Sequence, residues 1–392
     1  MIAVQQAKQI IQDAVTEGKI KEFPLQEAFG YTLAEDIIAT TDLPNFAQSS
    51  MDGYAVKFED KDKPLTIIGE MAAGVSTQLT IQTGQATRIF TGAPLPNGAD
   101  TVIMQEKVSV DNKLLTLQDD SLSHGLNVRP KGAEVKSGEL AMAKGTYLSA
   151  AALGFLAGIG CTHASVYAAP KVAIILTGNE LQEPGKPLEF GQVYEANSVL
   201  LTAALNRAGI NDITILRSED NLDVLASVLQ SALEISDIVL LNGGVSVGDY
   251  DYVVGAAAAC CIEQKFHKIK QKPGKPLFFG TKQDKLVFGL PGNPSSGLTC
   301  FYEYVLPALE KSMHKEPSVI AVTAKATYDY SKSAGLTHFI KAFYKEGRAT
   351  PLHAQESFRL HSFAQANCFI ILPEESTGCK AGDTVDVHLL PL

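Results

Sequence analysis

The sequence predicts a multidomain protein of mixed α/β and β class, and three observations carry that expectation. From Lys171 onward, apolar strands alternate with helices of a dozen or so residues, the pattern of a doubly wound α/β domain. Residues 43–145 and 318–392 instead carry short alternating apolar runs broken by Gly, Pro, Asn and Asp, which is β patterning. A chain of 392 residues that is 45% apolar exceeds what one core organises and supplies enough apolar surface for several.

At the start of the chain, Val4, Ala7, Ile11, Ala14 and Val15 recur at helical spacing, which predicts a folded amphipathic helix and not a secretion signal. Residues 1–42 and 146–170 both read mainly as helix, so they predict one discontinuous helical domain from which the β-rich piece 43–145 is inserted. The most apolar stretch, Leu148 to Cys161 (LSAAALGFLAGIGC), is shorter than the ~20 residues a bilayer requires. Its Ala and Gly content predicts tight helix packing, with no membrane as partner.

Within 171–317, strands KVAIIL, DITILR and DIVLLNGG lack polar alternation and are separated by the helices NSVLLTAALNRAG and NLDVLASVLQSALEI. They predict a parallel sheet covered on both faces, whose ligands bind at the carboxyl ends of its strands. Beyond Pro317, the runs VIAVTAKATY, THFIKAFY, CFIILPE and DTVDVHLL predict a compact barrel or sandwich over 318–392.

Charge and cysteine usage narrow the function. Against 33 basic residues stand 43 acidic ones, and a net charge of -10 excludes a general nucleic-acid binder. Six cysteines include no CxxC pair, and no Cys/His cluster has zinc-ligand spacing. They read as reduced thiols of a cytoplasmic protein.

Four loops of the α/β region carry the chemistry. The first, Thr177-Gly178-Asn179-Glu180-Leu181, brings a hydroxyl, an amide and a carboxylate to a strand end, although a capped turn would use the same residues. The third strand runs into Asn242-Gly243-Gly244-Val245-Ser246-Val247-Gly248-Asp249-Tyr250-Asp251, where glycines let a phosphate approach the backbone. Asp249 and Asp251 would repel that phosphate unless a hard cation such as Mg²⁺ lay between, or they serve the next helix N-terminus as dipole partners. In Phe266 to Pro276 (FHKIKQKPGKP), four lysines fall within eight positions, and the Pro-Gly-Lys-Pro turn fixes their direction, favouring an oxyanion site over a solvated face. Gly289 to Gly297 (GLPGNPSSG) forms a stiff strand-to-helix turn whose Ser295, Ser296 and amides can donate to a ligand. The polar turns around Ser49–Val56 and Thr91–Asp100 carry no role on their own residues.

In order, MDGYAV, TGAPLPNGADTVIMQE, TGNEL, NGGVSVGDYDYV, KPGKPLFFG and GLPGNPSSG resemble the molybdopterin molybdenumtransferase (MoeA) family, to which the gephyrin E domain is also similar. The resemblance spans Asp36 to Pro391. It implies a helical linker domain, an inserted β domain, a molybdopterin-binding α/β domain and a C-terminal β barrel, assembled as a homodimer with its cleft between subunits. The implied activity is insertion of molybdate into adenylylated molybdopterin with Mg²⁺-dependent release of AMP.

By the same resemblance, Asp52 and Thr91 reach the cleft from the other subunit, and Glu180, Asp220 and Asp251 form its acidic wall. Lys268, Lys272 and Lys275 hold anionic groups. Gly243, Gly244, Ser246, Gly248, Asp249, Pro291, Pro294, Ser295, Ser357, Arg359 and Ser362 contact substrate, and Mg²⁺ falls to Glu180, Asp249 and Asp251. An upstream molybdopterin adenylyltransferase and recipient apo-molybdoenzymes are the implied transient partners. Two departures are visible: TGNEL stands where the family more often has TGDEL, and Asn242 stands where Ser or Thr is commoner. Two other classes fit less well. An adenylyltransferase typically lacks the two β domains, and a pure scaffold would not need Asp251 and the lysines.

Overall fold

The computed structural model describes residues 1–244 and 252–391. Two compact units emerge: Met1–Lys21 with Gly30–Thr32 and Val166–Leu392, and Glu22–Phe29 with Leu33–Ser165.

In the first unit a six-stranded sheet has the order Ile213–Ser218, Val172–Thr177, Ile238–Asn242, Lys285–Leu290, Pro276–Lys282, Glu263–Lys268. The first four strands are parallel, with Ile174 beside Ile215 and Leu240. Alternate residues of these strands feed two cores. Val172, Ile174 and Leu176 pack with Leu201 and Leu205 on one face, while Ala173 and Ile175 pack with Leu225, Leu229 and Val253 on the other. Helices Asn197–Arg207, Leu222–Ile235 and Tyr252–Ala259 supply those partners, and the second begins on Asn221, whose side chain accepts from the Asp223 and Val224 amides.

The three strands expected to be parallel are so, and beyond them the edge strands Pro276–Lys282 and Glu263–Lys268 run antiparallel. The reason is local: Lys282 pairs with Lys285, leaving only Gln283 and Asp284 to turn the chain, and Gln283 takes φ 56°. So short a turn joins antiparallel strands only.

The C-terminal region is a barrel. Strands Ile320–Ala326, Thr337–Lys345, Arg348–Pro351, Cys368–Leu372 and Thr384–Leu389 close on one another through the pairing of Thr337–Lys345 with Cys368–Leu372. Its interior holds Ala324, Ile340, Ala342, Ile370, Val385 and Val387.

Helix Val4–Ala14 forms as its spacing predicts and buries Val4, Ala7 and Ile11 in the core of the α/β unit. The mainly helical reading of 1–42 and 146–170 is corrected beyond it. Residues 20–42 form strands, turns and one three-residue 3-10 helix, Leu25–Glu27, with Ile37–Ile38 paired to Leu140–Met142, and the later stretch keeps one nine-residue helix, Ala150–Gly158. Helix-forming Glu, Ala and Leu in this stretch yield to strand pairing and to the breaks at Pro24 and Gly30. No helix among the described residues is long and apolar enough to cross a membrane.

In the second unit six strands order as Thr101–Met104, Gly53–Val56, Gln85–Ile89, Leu65–Met71, Leu114–Leu117, Val108–Asp111. Tyr54 and Val56 pack on one side with Leu65, Ala86, Ile103 and Leu115, and Ala55 on the other with Met71, Ile89 and Val102. Gly53 is fixed by contact, since a Cβ there would lie 1.9 Å from the Ile103 carbonyl oxygen. Gly53→Ala is therefore expected to cost about 3 kcal/mol or more through displaced backbone, read as a lowered urea midpoint. A midpoint equal to wild type would remove that constraint.

Candidate active site

At the carboxyl ends of the central strands lies a cavity of about 590 Å³, walled by Thr177, Gly178, Glu180, Tyr194, Asn197, Asp220, Asn242, Gly243, Gly244, Tyr252, Asn293 and Pro294 among others. The loops after Val172–Thr177, Ile238–Asn242 and Lys285–Leu290 converge here. Asn242 Nδ2 donates to the Pro291 carbonyl at 3.1 Å, and Asn197 Nδ2 to the Gly292 carbonyl at 2.8 Å, so two amides lock the loops together. Gly243 and Gly244 have φ 92° and 64°, and a Cβ on Gly243 would lie 2.7 Å from the Thr177 hydroxyl. That hydroxyl is buried and has no hydrogen-bond partner among the described residues.

Two carboxylates face this space. Glu180 folds back over Gly178, and Asp220 closes a reciprocal pair with Asn179: the Asn179 amide donates to Asp220 Oδ2 at 3.3 Å, and the Asp220 amide donates to Asn179 Oδ1 at 3.3 Å. An aspartate at 179 would set a second charge against Asp220, so the neutral amide suits this loop.

Of the sequence-predicted residues, Glu180, Asp220, Gly243, Gly244 and Pro294 line the cavity, while Pro291 braces it through its carbonyl. Ser246, Gly248, Asp249 and Asp251 lie outside the described residues. Ser295 is completely buried and absent from the cavity wall, and its hydroxyl has no hydrogen-bond partner among the described residues. The helix start turns it inward, toward the core.

The lysine run is held by Gln271. This buried amide donates to the Pro273 carbonyl at 3.1 Å and the Gly274 carbonyl at 3.0 Å, and accepts from the Tyr304 hydroxyl. Lys268 is half-buried at the end of its strand, and Lys272 and Lys275 are exposed. None of the three lines the cavity. Lys270, the fourth of the run, is taken by Glu374 at 2.7 Å and does not belong to an anion site. Strand Gln271–Lys272 pairs with the barrel, placing Lys272 beside His338, whose imidazole burial first, then Lys332 and Lys272, pushes down to about 4.

From the barrel region, Asn293 Nδ2 donates to Ser357 Oγ at 3.1 Å, which brings Ser357 to the rim. Arg359 is exposed, paired with Glu356 at 3.1 Å and stacked over Phe358. Ser362 is buried and accepts from Lys341 Nζ at 2.7 Å. Lys341, itself 2% exposed, also donates to the Ala354 and Arg359 carbonyls, so Ser362 serves to anchor this loop.

In the other unit, Asp52 and Thr91 meet although 39 positions separate them. Asp52 Oδ1 accepts from the Thr91 amide and hydroxyl, both at 2.8 Å. Those bonds, the amide's first, hold the Asp52 carboxyl below its usual range, with a smaller pull from Arg88. Asn197 and Tyr194 of the cavity were missed in the sequence, where they read only as the approach to a helix.

Family models for the MoeA N-terminal region (domains I and II), the probable molybdopterin binding domain and the MoeA C-terminal region (domain IV) match residues 2–160, 173–311 and 323–390. A molybdopterin molybdenumtransferase of Staphylococcus epidermidis is 35% identical over 99% of this chain and 95% of its own length. The chain belongs to the molybdopterin molybdenumtransferase family. Another relative of that name, from Haemophilus influenzae, is 35% identical over 93% of this chain and 94% of its own. The solved molybdopterin biosynthesis MoeA protein of Pyrococcus horikoshii matches with a TM-score of 0.85 at 31% identity over 99% of both chains. Membership in the molybdopterin molybdenumtransferase family makes this chain an enzyme, a transferase of molybdenum-cofactor biosynthesis.

Proposed function

We propose that this chain inserts molybdate into adenylylated molybdopterin and releases AMP. The supporting observation is the convergence of the Glu180 and Asp220 carboxylates with the Gly243–Gly244 backbone in one cavity at the sheet's carboxyl ends. Glycine backbone admits a pyrophosphate closely, yet two carboxylates beside it require a counter-cation. Among the described residues no group of three or more His, Cys, Asp or Glu side chains is placed to hold a metal ion. The hard oxygen donors that are present fit Mg²⁺, which takes few carboxylates and keeps its waters. Glu180 would hold it together with Asp249 and Asp251, which lie outside the described residues. Bound there, Mg²⁺ supplies neutralisation of the charge that develops as the P–O bond to AMP breaks.

The chain's own groups bind and orient. Lys268, Lys272 and Lys275 hold molybdate and the terminal phosphate, Ser357 and Arg359 add donors from the barrel side, and Pro291 and Pro294 keep the loop stiff. In a homodimer, a second copy's inserted domain supplies Asp52 and Thr91. A cytoplasmic adenylyltransferase provides the substrate, and apo-molybdoenzymes take the product.

The test is AMP release from molybdopterin adenylate by the purified protein with Mg²⁺, with and without molybdate, beside reactivation of an apo-molybdoenzyme. Molybdate-dependent release with reactivation is the expected result. Binding of the adenylate with neither product would turn the reading toward a carrier.

A further inference from the structure

The inserted domain holds a guanidinium that none of these roles employs. Arg88 stands on strand Gln85–Ile89 directly across from Tyr54 in an antiparallel pairing. Just beyond the ends of these two strands, Asp52 feels the charge of Arg88, and the Phe90 ring lies under its guanidinium. Asp52, Tyr54, Arg88 and Phe90 thus gather beside Thr91.

Arg88 is held in place on several sides. Its Nη1 donates to the Tyr54 hydroxyl at 3.1 Å and its Nη2 to Gln105 Oε1 at 3.0 Å. The guanidinium carbon lies 5.6 Å from the Tyr54 ring centre and 5.2 Å from that of Phe90. A guanidinium carries more N–H donors than those two, and no carboxylate among the described residues lies within ion-pair distance of it. The result is a pre-oriented, half-buried cation with unused donors in a chain of net charge -10.

Its neighbours define what it can take. Thr91 spends its amide and hydroxyl on Asp52, so neither is left for an incoming anion. A dianion approaching Asp52 alone would meet a like charge. Arg88 beside it offsets that charge and offers a planar fork matched to tetrahedral oxygens.

We propose that Arg88 binds a tetrahedral oxyanion, molybdate or a phosphoryl group, at the Asp52–Thr91 end of the inserted domain. The inference rests on the insertase reading for the identity of the anion, and anion binding itself can be measured apart from turnover.

Isothermal titration of the full-length protein with sodium molybdate and with AMP separates the two sources. Arg88→Met keeps an unbranched apolar stem against the rings and removes the fork; it is expected to weaken the anion that Arg88 reads by about tenfold or more. Loss confined to molybdate assigns the free oxyanion, and loss confined to AMP assigns the phosphoryl group. Arg88→Lys, which keeps charge without the fork, should recover part of the affinity. Unchanged affinity for both anions in Arg88→Met, or no binding of either by the wild type, overturns the proposal. If Arg88→Met fails to fold, Tyr54→Phe removes only the hydroxyl that orients Nη1. A few-fold loss of affinity is then expected, and wild-type affinity counts against the assignment. Arg88-dependent binding without AMP release would sink the insertase reading alone; AMP release with unaltered binding in Arg88→Met would sink this one alone.

Discussion

Glu180→Ala is expected to lower molybdate-dependent AMP release by about 100-fold or more while leaving the fold intact. The side chain is exposed on the cavity wall, so its removal opens no core and should shift stability little. What it removes is a hard oxygen donor beside Gly243 and Gly244, where the polyanionic bridge of the substrate is proposed to sit. Among the described wall residues only Asp220 then remains as a carboxylate, and it is engaged with Asn179. Glu180→Gln keeps the shape without the charge and should fall nearly as far. AMP release within threefold of wild type in either variant, at unchanged melting temperature, would take Glu180 out of the reaction.

The largest stability effect is expected at Glu303. Its carboxylate is 1% exposed and bridges Lys8 of the first helix to His388 of the last strand, with His388 Nδ1 at 2.8 Å from Oε1. Burial alone would raise its pKa, but the His388 contact and the Lys8 charge together outweigh burial and hold it below 4.5. Glu303→Ala leaves the Lys8 ammonium and the His388 ring without their buried acceptor and should cost about 3–5 kcal/mol in urea unfolding at pH 7. Because the folded-state pKa is depressed, the contribution is fully present above the unfolded value of 4.5 and is lost as pH falls through the folded one. The gap between wild type and variant should therefore narrow in acid below pH 4.5. A gap that is constant with pH, or under about 1 kcal/mol at pH 7, would contradict the bridge.

What could be read in the sequence follows burial and chain distance. Val172–Thr177 and Ile238–Asn242 were legible because strands buried on both faces need unbroken apolar runs, and their carboxyl ends then located Glu180, Gly243 and Gly244. Residues 20–42 misled because helix-forming composition there is overruled by pairing with strands far along the chain, such as Leu140–Met142. Asp52 and Thr91 look like ordinary turn residues until strand pairing joins them, so only the family motifs pointed to them. The burial of Ser295 and Ser362 was not legible at all. A hydroxyl in a motif says nothing of which way its helix turns it, and both face inward.

The π-helical turn Phe301–Val305 presents Glu303 to Lys8 and the adjacent Tyr304 to Gln271. Lys8 stands 295 positions before that carboxylate and His388 85 after it. On the ribosome, then, the first helix is made long before Glu303, the charged partner of its Lys8, exists, and its apolar side must wait while most of the chain is synthesised. Contacts at such separation close late and slowly, since the entropy of the intervening chain is lost before they form. The nascent protein passes much of its synthesis with the apolar face of that helix (Val4, Ala7 and Ile11) uncovered, and that face is where a chaperone would find it.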